Sequence, residues 1–243
     1  MSDRNLSQLD HALLELRSLV MNGEFSGGQR LSEVAVAKQL GTSRTPLRQA
    51  MDRLVAEGLL ERIETGGCRV ETFTRDDIAD AIELRGVIEG TAARMAAERG
   101  VSAELLSQAN AALEGIDRAI KASNGLNFEC YVHRNAEFHT LLAKFSGSAL
   151  VQREIERVSM LPLASPSAFL SEQAAIPDFV DSLRYAQRQH RAIVEAITNH
   201  EGARAEALVR EHARLALINF NYLTDVQPTL VNDVPGLALV AST

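Results

Sequence analysis

The chain has 243 residues, 46% of them hydrophobic, a net charge of −7 and a pI near 5.4; that is enough apolar material for packed cores, and the acidity excludes a general coat of nucleic-acid contacts without excluding a small local patch. Its two cysteines, Cys68 and Cys130, form no CxxC pair or zinc-finger spacing, so free thiols in a reducing compartment are expected. No run approaches the roughly 20 apolar residues that span a bilayer, and the start, with Asp3, Arg4 and Asp10, lacks the apolar core of a signal peptide; both point to a cytoplasmic protein with no membrane partner.

Residues 5–22 predict a helix, with Leu9, Leu13, Leu16 and Val20 at helical spacing before the glycines of "NGEFSGG". "LSEVAVAKQLG" predicts a short second helix, with Ser32 as N-cap and Gly41 just past its end. "TSRTPLRQAMDRLVAEG" predicts a third, capped by Thr42 or Ser43, with Pro46 in the first turn and Gly58 as stop. "LLERIETGGCRVETF" carries short β-compatible runs on either side of Gly66-Gly67, the pattern of a small hairpin. Three helices followed by a hairpin make a winged helix-turn-helix, expected over residues 1–73. From Asp76 onward the pattern is helical near 76–99, 102–122, 126–146, 148–160, 178–199 and 201–224, with breaks at Gly100, 123–125, Ser146-Gly147, "LPLASPSAFLSEQAAIPD" and Gly202. The expected fold is therefore mainly α: the winged domain, then an all-α bundle of about six helices over 74–227. The tail, 228–243, is apolar but irregular, either disordered or paired against a partner subunit.

In a helix-turn-helix the second helix of the pair enters the major groove and its first residues meet base edges. Arg44 and Arg48 lie one turn apart at that end, while Leu47, Met51, Leu54 and Val55 can pack inward. An arginine can hold guanine O6 and N7 with two hydrogen bonds, worth about 1–3 kcal/mol of discrimination. Ser43 and Thr45, with the N–H groups of the helix start, suit phosphate oxygens. Gly66 and Gly67 let the hairpin tip approach the duplex, where Arg69 could add charge. The plain alternative makes both arginines solvated residues of a surface helix. Residues 1–73 hold nine Lys and Arg against ten Asp and Glu, and the remainder 16 against 22, so the acidity lies mostly in the second part.

"GEFSGGQRLSEVAVAKQLGTSRTPLRQAMDRLVAEGLLE" and its glycine-tipped wing resemble the N-terminal domain of GntR-family transcription regulators over residues 8–73. The resemblance implies a homodimer on a palindromic double-stranded operator, with Arg44, Thr45 and Arg48 meeting DNA.

In the second part, Ile78, Ile82, Ala92 and Ala96 define an apolar stripe at helical spacing, and Arg85 and Glu89 fall in its middle. A buried charge is costly unless paired, so this is either an i,i+4 ion pair inside the bundle or an arginine facing a cavity to receive a carboxylate, steadied by Glu89. Asn135 and His139 share an inward face with Phe128, Val132 and Leu142; His190 lies with Leu183, Val194 and Ile197; His212 lies near Leu208 and Leu215. Three inward histidines on three helices are harder to read as core residues than one. His11, His133 and His200 read as surface or helix-end residues.

"LRGVIEGTAARMAAER", "RNAEFHTLLAKFSG", "QHRAIVEAI" and "VREHARLAL" are similar to the helical effector-binding (FCD) domain of the FadR-type branch of that family. Many of its members hold a divalent metal (Zn, Ni or Mn) through one Asp and three His. The His positions match His139, His190 and His212, and the Asp position is Asn135 here, a neutral oxygen donor that should weaken the site. The resemblance thus implies either a metal on these four residues or a metal-free pocket in which they and Arg85 meet the effector directly. It also implies a sensor of small carboxylates; "LPLASPSAF" and "EGARAEALVREHARLA" look most like the vanillate-responsive repressors of the branch, with other hydroxy or sugar acids as the alternative effectors. A metal-dependent hydrolase with Glu89 or Glu137 as base would leave the winged domain unexplained. An architectural DNA-binding protein would leave the inward polar residues unexplained.

Overall fold

The computed structural model describes residues 7–64, 66–122, 125–162, 164–166, 177–226 and 236–240. Two compact units emerge: one holds the described residues of Met1–Ile78, Leu161–Leu163 and Thr229–Thr243, the other those of Ala79–Met160 and Ala164–Pro228.

In the first unit, α1 (Gln8–Met21) starts at Ser7, whose hydroxyl accepts the Asp10 N–H, and buries Ala12, Leu13, Leu16 and Val20. Helix α2 (Glu33–Gln39) is capped by Ser32, whose side chain accepts from the Ala35 N–H. Helix α3 (Arg44–Ala56) has Ser43 at its N-cap position and buries Pro46, Leu47, Ala50, Met51 and Leu54. Those apolar faces meet in one core with Leu31, Val36, Leu59, Cys68 and Val70. Arg17 holds the Glu57 carboxylate at 2.7 Å, tying α1 to the end of α3.

The expected two-stranded hairpin proves to be a three-stranded antiparallel sheet in the order β1-β3-β2, with β1 at Arg30–Leu31, β2 at Leu60–Arg62 and β3 at Cys68–Val70. Two residues are too few to show strand alternation in a sequence, which is why β1 escaped notice; Leu31 opposite Cys68 fixes its register and buries its side chain. Of the segment expected to be an irregular tail, residues 236–240 pack into this first unit. Gly236 donates its N–H to the Met21 carbonyl, Phe73 N–H bonds the Leu239 carbonyl at 2.8 Å, and Leu239 is fully buried in the core just described. Gly236 has φ +87, and a Cβ there would meet Met21 Cε at 2.9 Å, so the turn requires glycine. Residues 167–176, 227–235 and 241–243 of the expected loop and tail lie outside the described residues.

The second unit is helical: α4 (Arg75–Arg99), α5 (Ala103–Ile120), α6 (Phe128–Phe145), α7 (Ala149–Ser159), α8 (Pro177–Thr198) and α9 (Gly202–Val226), all within a few residues of the expected bounds. Leu113, Ile116, Tyr131, Phe138, Leu142, Ile193, Ile197 and Val209 interlock as its core. Helices α4 and α9 approach closely at Gly86, where a Cβ would stand 2.8 Å from the Ala213 Cβ, and at Gly90, where it would meet the Glu206 carbonyl at 3.1 Å. That approach carries the buried Arg85 and Glu89 of α4 up to the helix bearing His212.

Candidate functional site

At the start of α3 the burial pattern divides cleanly. Pro46, Leu47 and Ala50 are buried, while Ser43, Arg44, Thr45 and Arg48 are exposed on the opposite side. Both guanidiniums approach one acid: Glu33, in the first turn of α2, lies 3.4 Å from Arg44 and 3.6 Å from Arg48. Their side chains remain 67% and 60% exposed, so the pairs are solvent-screened and available to a competing anion. At the sheet tip Gly66 and Gly67 have φ of +93 and +88, and the Arg30 guanidinium donates to the Gly66 carbonyl at 2.9 Å. Arg69, read as possible wing charge, pairs with Glu61 across the strands at 2.8 Å.

The second unit brings His139 of α6, His190 of α8 and His212 of α9 into one buried cluster. His212 Nε2 lies 3.0 Å from His190 Nε2 and 3.4 Å from His139 Nε2. The opposite ring nitrogens each face an oxygen. His139 Nδ1 is 3.3 Å from Glu89 Oε1, His190 Nδ1 is 3.2 Å from Gln187 Oε1, and His212 Nδ1 is 3.0 Å from Gln189 Oε1. The Gln187 amide is fixed because its N–H groups donate to the Leu113 carbonyl and Asp117 Oδ1, so its oxygen must be the end toward His190. With each Nδ1 directed outward at an oxygen, the three rings turn their Nε2 atoms, whose lone pairs can ligate a metal, toward one another.

Lone pairs so arranged repel unless a cation sits between them. Donors about 2.1 Å from a common zinc-like ion lie about 3.0 Å apart at a right angle and about 3.4 Å apart at a tetrahedral angle, matching the two spacings seen. The residues present thus fit a divalent metal, with Glu89, Gln187 and Gln189 as the outer partners that lock the tautomers. Burial and the neighbouring imidazoles push His212 down to about 3 and His190 well below its usual range, so both stay neutral at ordinary pH. Asn135 is buried too; its amide N–H donates to the Pro166 carbonyl, so the donor it can offer a cation is its carbonyl oxygen.

Arg85 and Glu89 are 1% and 2% exposed, with the Arg85 Nε 3.5 Å from Glu89 Oε2, so the expected i,i+4 pair is present inside the bundle. Arg85 also donates to the Ala164 carbonyl. Burial opposes ionisation of Glu89, yet Arg85 and His139 outweigh it and hold the carboxyl at about 2. Neither Arg85 Nε nor Glu89 Oε2 completes a hydrogen bond, which leaves two buried polar atoms facing the site. A cavity of about 210 Å³ opens beside Glu89 and His139, with Ala136, Ala143, Ile155, Met160 and Pro166 among its apolar walls. A second, of about 30 Å³, touches Arg85, Asn135 and His212. Gln187 and Gln189 were not foreseen from the sequence, and Glu89 supports His139 as well as Arg85. Glutamines carry no distinctive spacing, and Glu89 meets His139 only across 50 positions of chain.

Both halves of the chain match known protein families. The FCD-domain family model matches residues 80–215, more than half of the chain, and the model for bacterial regulatory proteins of the gntR family matches residues 9–70. The chain belongs to the GntR family, in its FCD-domain form. This GntR-family regulator is 31% identical over 202 residues to the probable D-xylose utilization operon transcriptional repressor of Paenarthrobacter nicotinovorans, covering 79% of this chain and 80% of that one. It is 30% identical over 147 residues to the uncharacterized regulator YdhC of Bacillus subtilis, covering 60% of this chain and 64% of that protein. With the repressor GlaR of Escherichia coli it shares 25% identity over 202 residues, 81% of this chain and 88% of GlaR. Among solved structures, E. coli McbR/YncC superposes with a TM-score of 0.60 at 19% identity, covering 89% of this chain and 100% of that one, a likeness of fold. The matched domains and relatives are transcriptional regulators, so the chain is a non-enzymatic DNA-binding regulator. No described helix is long and apolar enough to cross a membrane.

Proposed function

We propose that this regulator is a repressor of a catabolic operon that binds a palindromic operator as a homodimer and leaves it when a small carboxylate enters the helical unit. Residues 1–73 read the DNA. Arg44 and Arg48 contact base edges, Ser43 and Thr45 hold phosphates, and Gly66 and Gly67 bring the sheet tip close to the backbone. Residues 74–227 bind the effector and pair the subunits. His139, His190, His212 and the Asn135 oxygen hold a divalent metal, which when bound supplies a Lewis-acidic grip on the effector's carboxylate. Arg85 provides the fixed positive charge beside it, and Glu89 keeps both Arg85 and His139 in place.

The observation that carries this reading is the buried convergence of three Nε2 atoms, with His139 and Glu89 lining a cavity of about 210 Å³ and His212 and Arg85 lining a smaller one. The apolar walls favour an aromatic acid such as vanillate. A hydroxy or sugar acid is the second reading, favoured by Thr140, Gln152, Ser159 and Ser165 in the same lining. The test is a gel-shift titration of the operator complex with vanillate, other aromatic acids and short hydroxy acids. Release by vanillate supports the first reading, and release by hydroxy acids alone selects the second. No release by any carboxylate overturns both. Arg48→Ala is expected to abolish operator binding with an unchanged unfolding transition; retained operator affinity in that variant removes the assignment of α3 as the reading helix.

A further inference from the structure

We infer that this regulator retains its metal only together with an anion, because Asn135 leaves the donor set without a charged ligand. This rests on the metal-and-carboxylate reading above. An imidazole that ligates a metal does so as a neutral ring, so the three histidines bring no negative charge, their Nδ1 atoms facing Glu89, Gln187 and Gln189. Asn135, which lines a small cavity with His212 and Arg85, has no charge to bring. Glu89, which contacts His139, is already balanced by Arg85 at 3.5 Å. The two cavities flanking the cluster add one Lys144 and one Glu156 to that pair, and these cancel. The site therefore sums to zero before a divalent ion enters and to +2 afterwards, in surroundings where His190 is fully buried and Arg85 nearly so.

Uncompensated charge in such a place is costly. An aspartate at position 135 would supply one negative charge permanently. With asparagine there, the compensating charge has to arrive with the ligand, and the cavity bordered by Glu89 and His139 has room for a carboxylate beside the cluster. Linkage makes the effect reciprocal: the factor by which the anion tightens the metal is the factor by which the metal tightens the anion. The regulator then responds to the two together.

The experiment uses the full chain stripped with a chelator. Its Zn²⁺ affinity is measured by competition with a fluorescent chelator at fixed pH and ionic strength, in weakly coordinating perchlorate alone, with acetate and with vanillate. Wild-type affinity is expected to rise roughly tenfold or more with a carboxylate, within the usual span of coupling between two ligands. Asn135→Asp is expected to bind Zn²⁺ tightly in perchlorate alone and to keep only a few-fold response. His212→Ala should lose Zn²⁺ in all three media. The same coupling, read on the wild type as the rise in vanillate affinity at saturating Zn²⁺, does not depend on any variant folding. Equal wild-type affinity in all media, with His212→Ala still losing Zn²⁺, overturns the coupling and leaves the metal site standing. A wild type that binds no Zn²⁺ in any medium overturns both.

Discussion

Glu89→Ala is expected to strand a buried guanidinium. Arg85 is 1% exposed, and the carboxylate 3.5 Å from its Nε is the one acid paired with it among the described residues. Removing one partner of a buried pair costs about 3–5 kcal/mol, far more than the pair's net worth, because the remaining charge has no solvent. With a urea m-value of about 2 kcal/mol/M, the midpoint of the helical unit falls by about 1.5–2.5 M. That unit can be followed alone: the chain has no tryptophan, and its three tyrosines, Tyr131, Tyr185 and Tyr222, all belong to it. Tyrosine fluorescence of the chelator-treated protein is therefore the assay. The double variant Arg85→Met/Glu89→Leu removes both charges and is expected to recover at least half of the loss, since apolar replacement of a buried pair is often neutral. A single-variant shift below about 0.5 M, or a double variant weaker than the single, would refute the reasoning.

Leu239→Ala removes a fully buried side chain from the core of the first unit and is expected to cost it about 2–5 kcal/mol. Faster amide exchange in α1 and α3 with an unmoved tyrosine transition checks this; a shifted tyrosine transition with unchanged exchange contradicts it. The metal-free helical unit should also lose stability in acid. His212, at about 3, and His190, well below its usual value, are depressed first of all by burial, so as pH falls below about 6.5 the unfolded chain takes up protons that the folded one refuses. The stability is full above that value and drains between it and about 3, by up to about 1.4 kcal/mol per pH unit for each histidine, while Glu89 stays ionised down to about 2. A urea midpoint that is flat from pH 7 to 5 would contradict the assignment of both as buried neutral rings.

The parts of the fold that rest on local chemistry were legible from the sequence. Ser32 caps α2 and Ser43 stands at the head of α3 as read, and the stripe of α4 does bury Arg85 and Glu89. The convergence of His139, His190 and His212 was also legible, because each sits at helical spacing among apolar residues and three such positions constrain one another. What escaped depends on contacts between distant segments. Leu31 makes a strand only because Cys68 stands opposite it. Leu239 finds its place through Phe73, far back in the chain. Gln187 and Gln189 are two ordinary polar residues on α8, and only the folded bundle shows that these near neighbours serve histidines on two different helices.

The first unit's electrostatics bear on how the proposed repressor would be switched. Glu33 holds both Arg44 and Arg48, yet at 60–67% exposure such pairs are worth about 0–1 kcal/mol each, so guanine or phosphate displaces the acid at little cost. The same acid lowers the pull of α3 on DNA in general, in a segment whose charges already nearly cancel. In the proposed dimer, affinity would then come from base contacts made at two half-sites together, with a small share from non-specific attraction. A dimer built in this way tolerates little change in the spacing of its two α3 helices. An effector that binds one arrangement of the helical units better than the other therefore needs only a modest preference to release the operator, and that preference is the whole of what it can contribute.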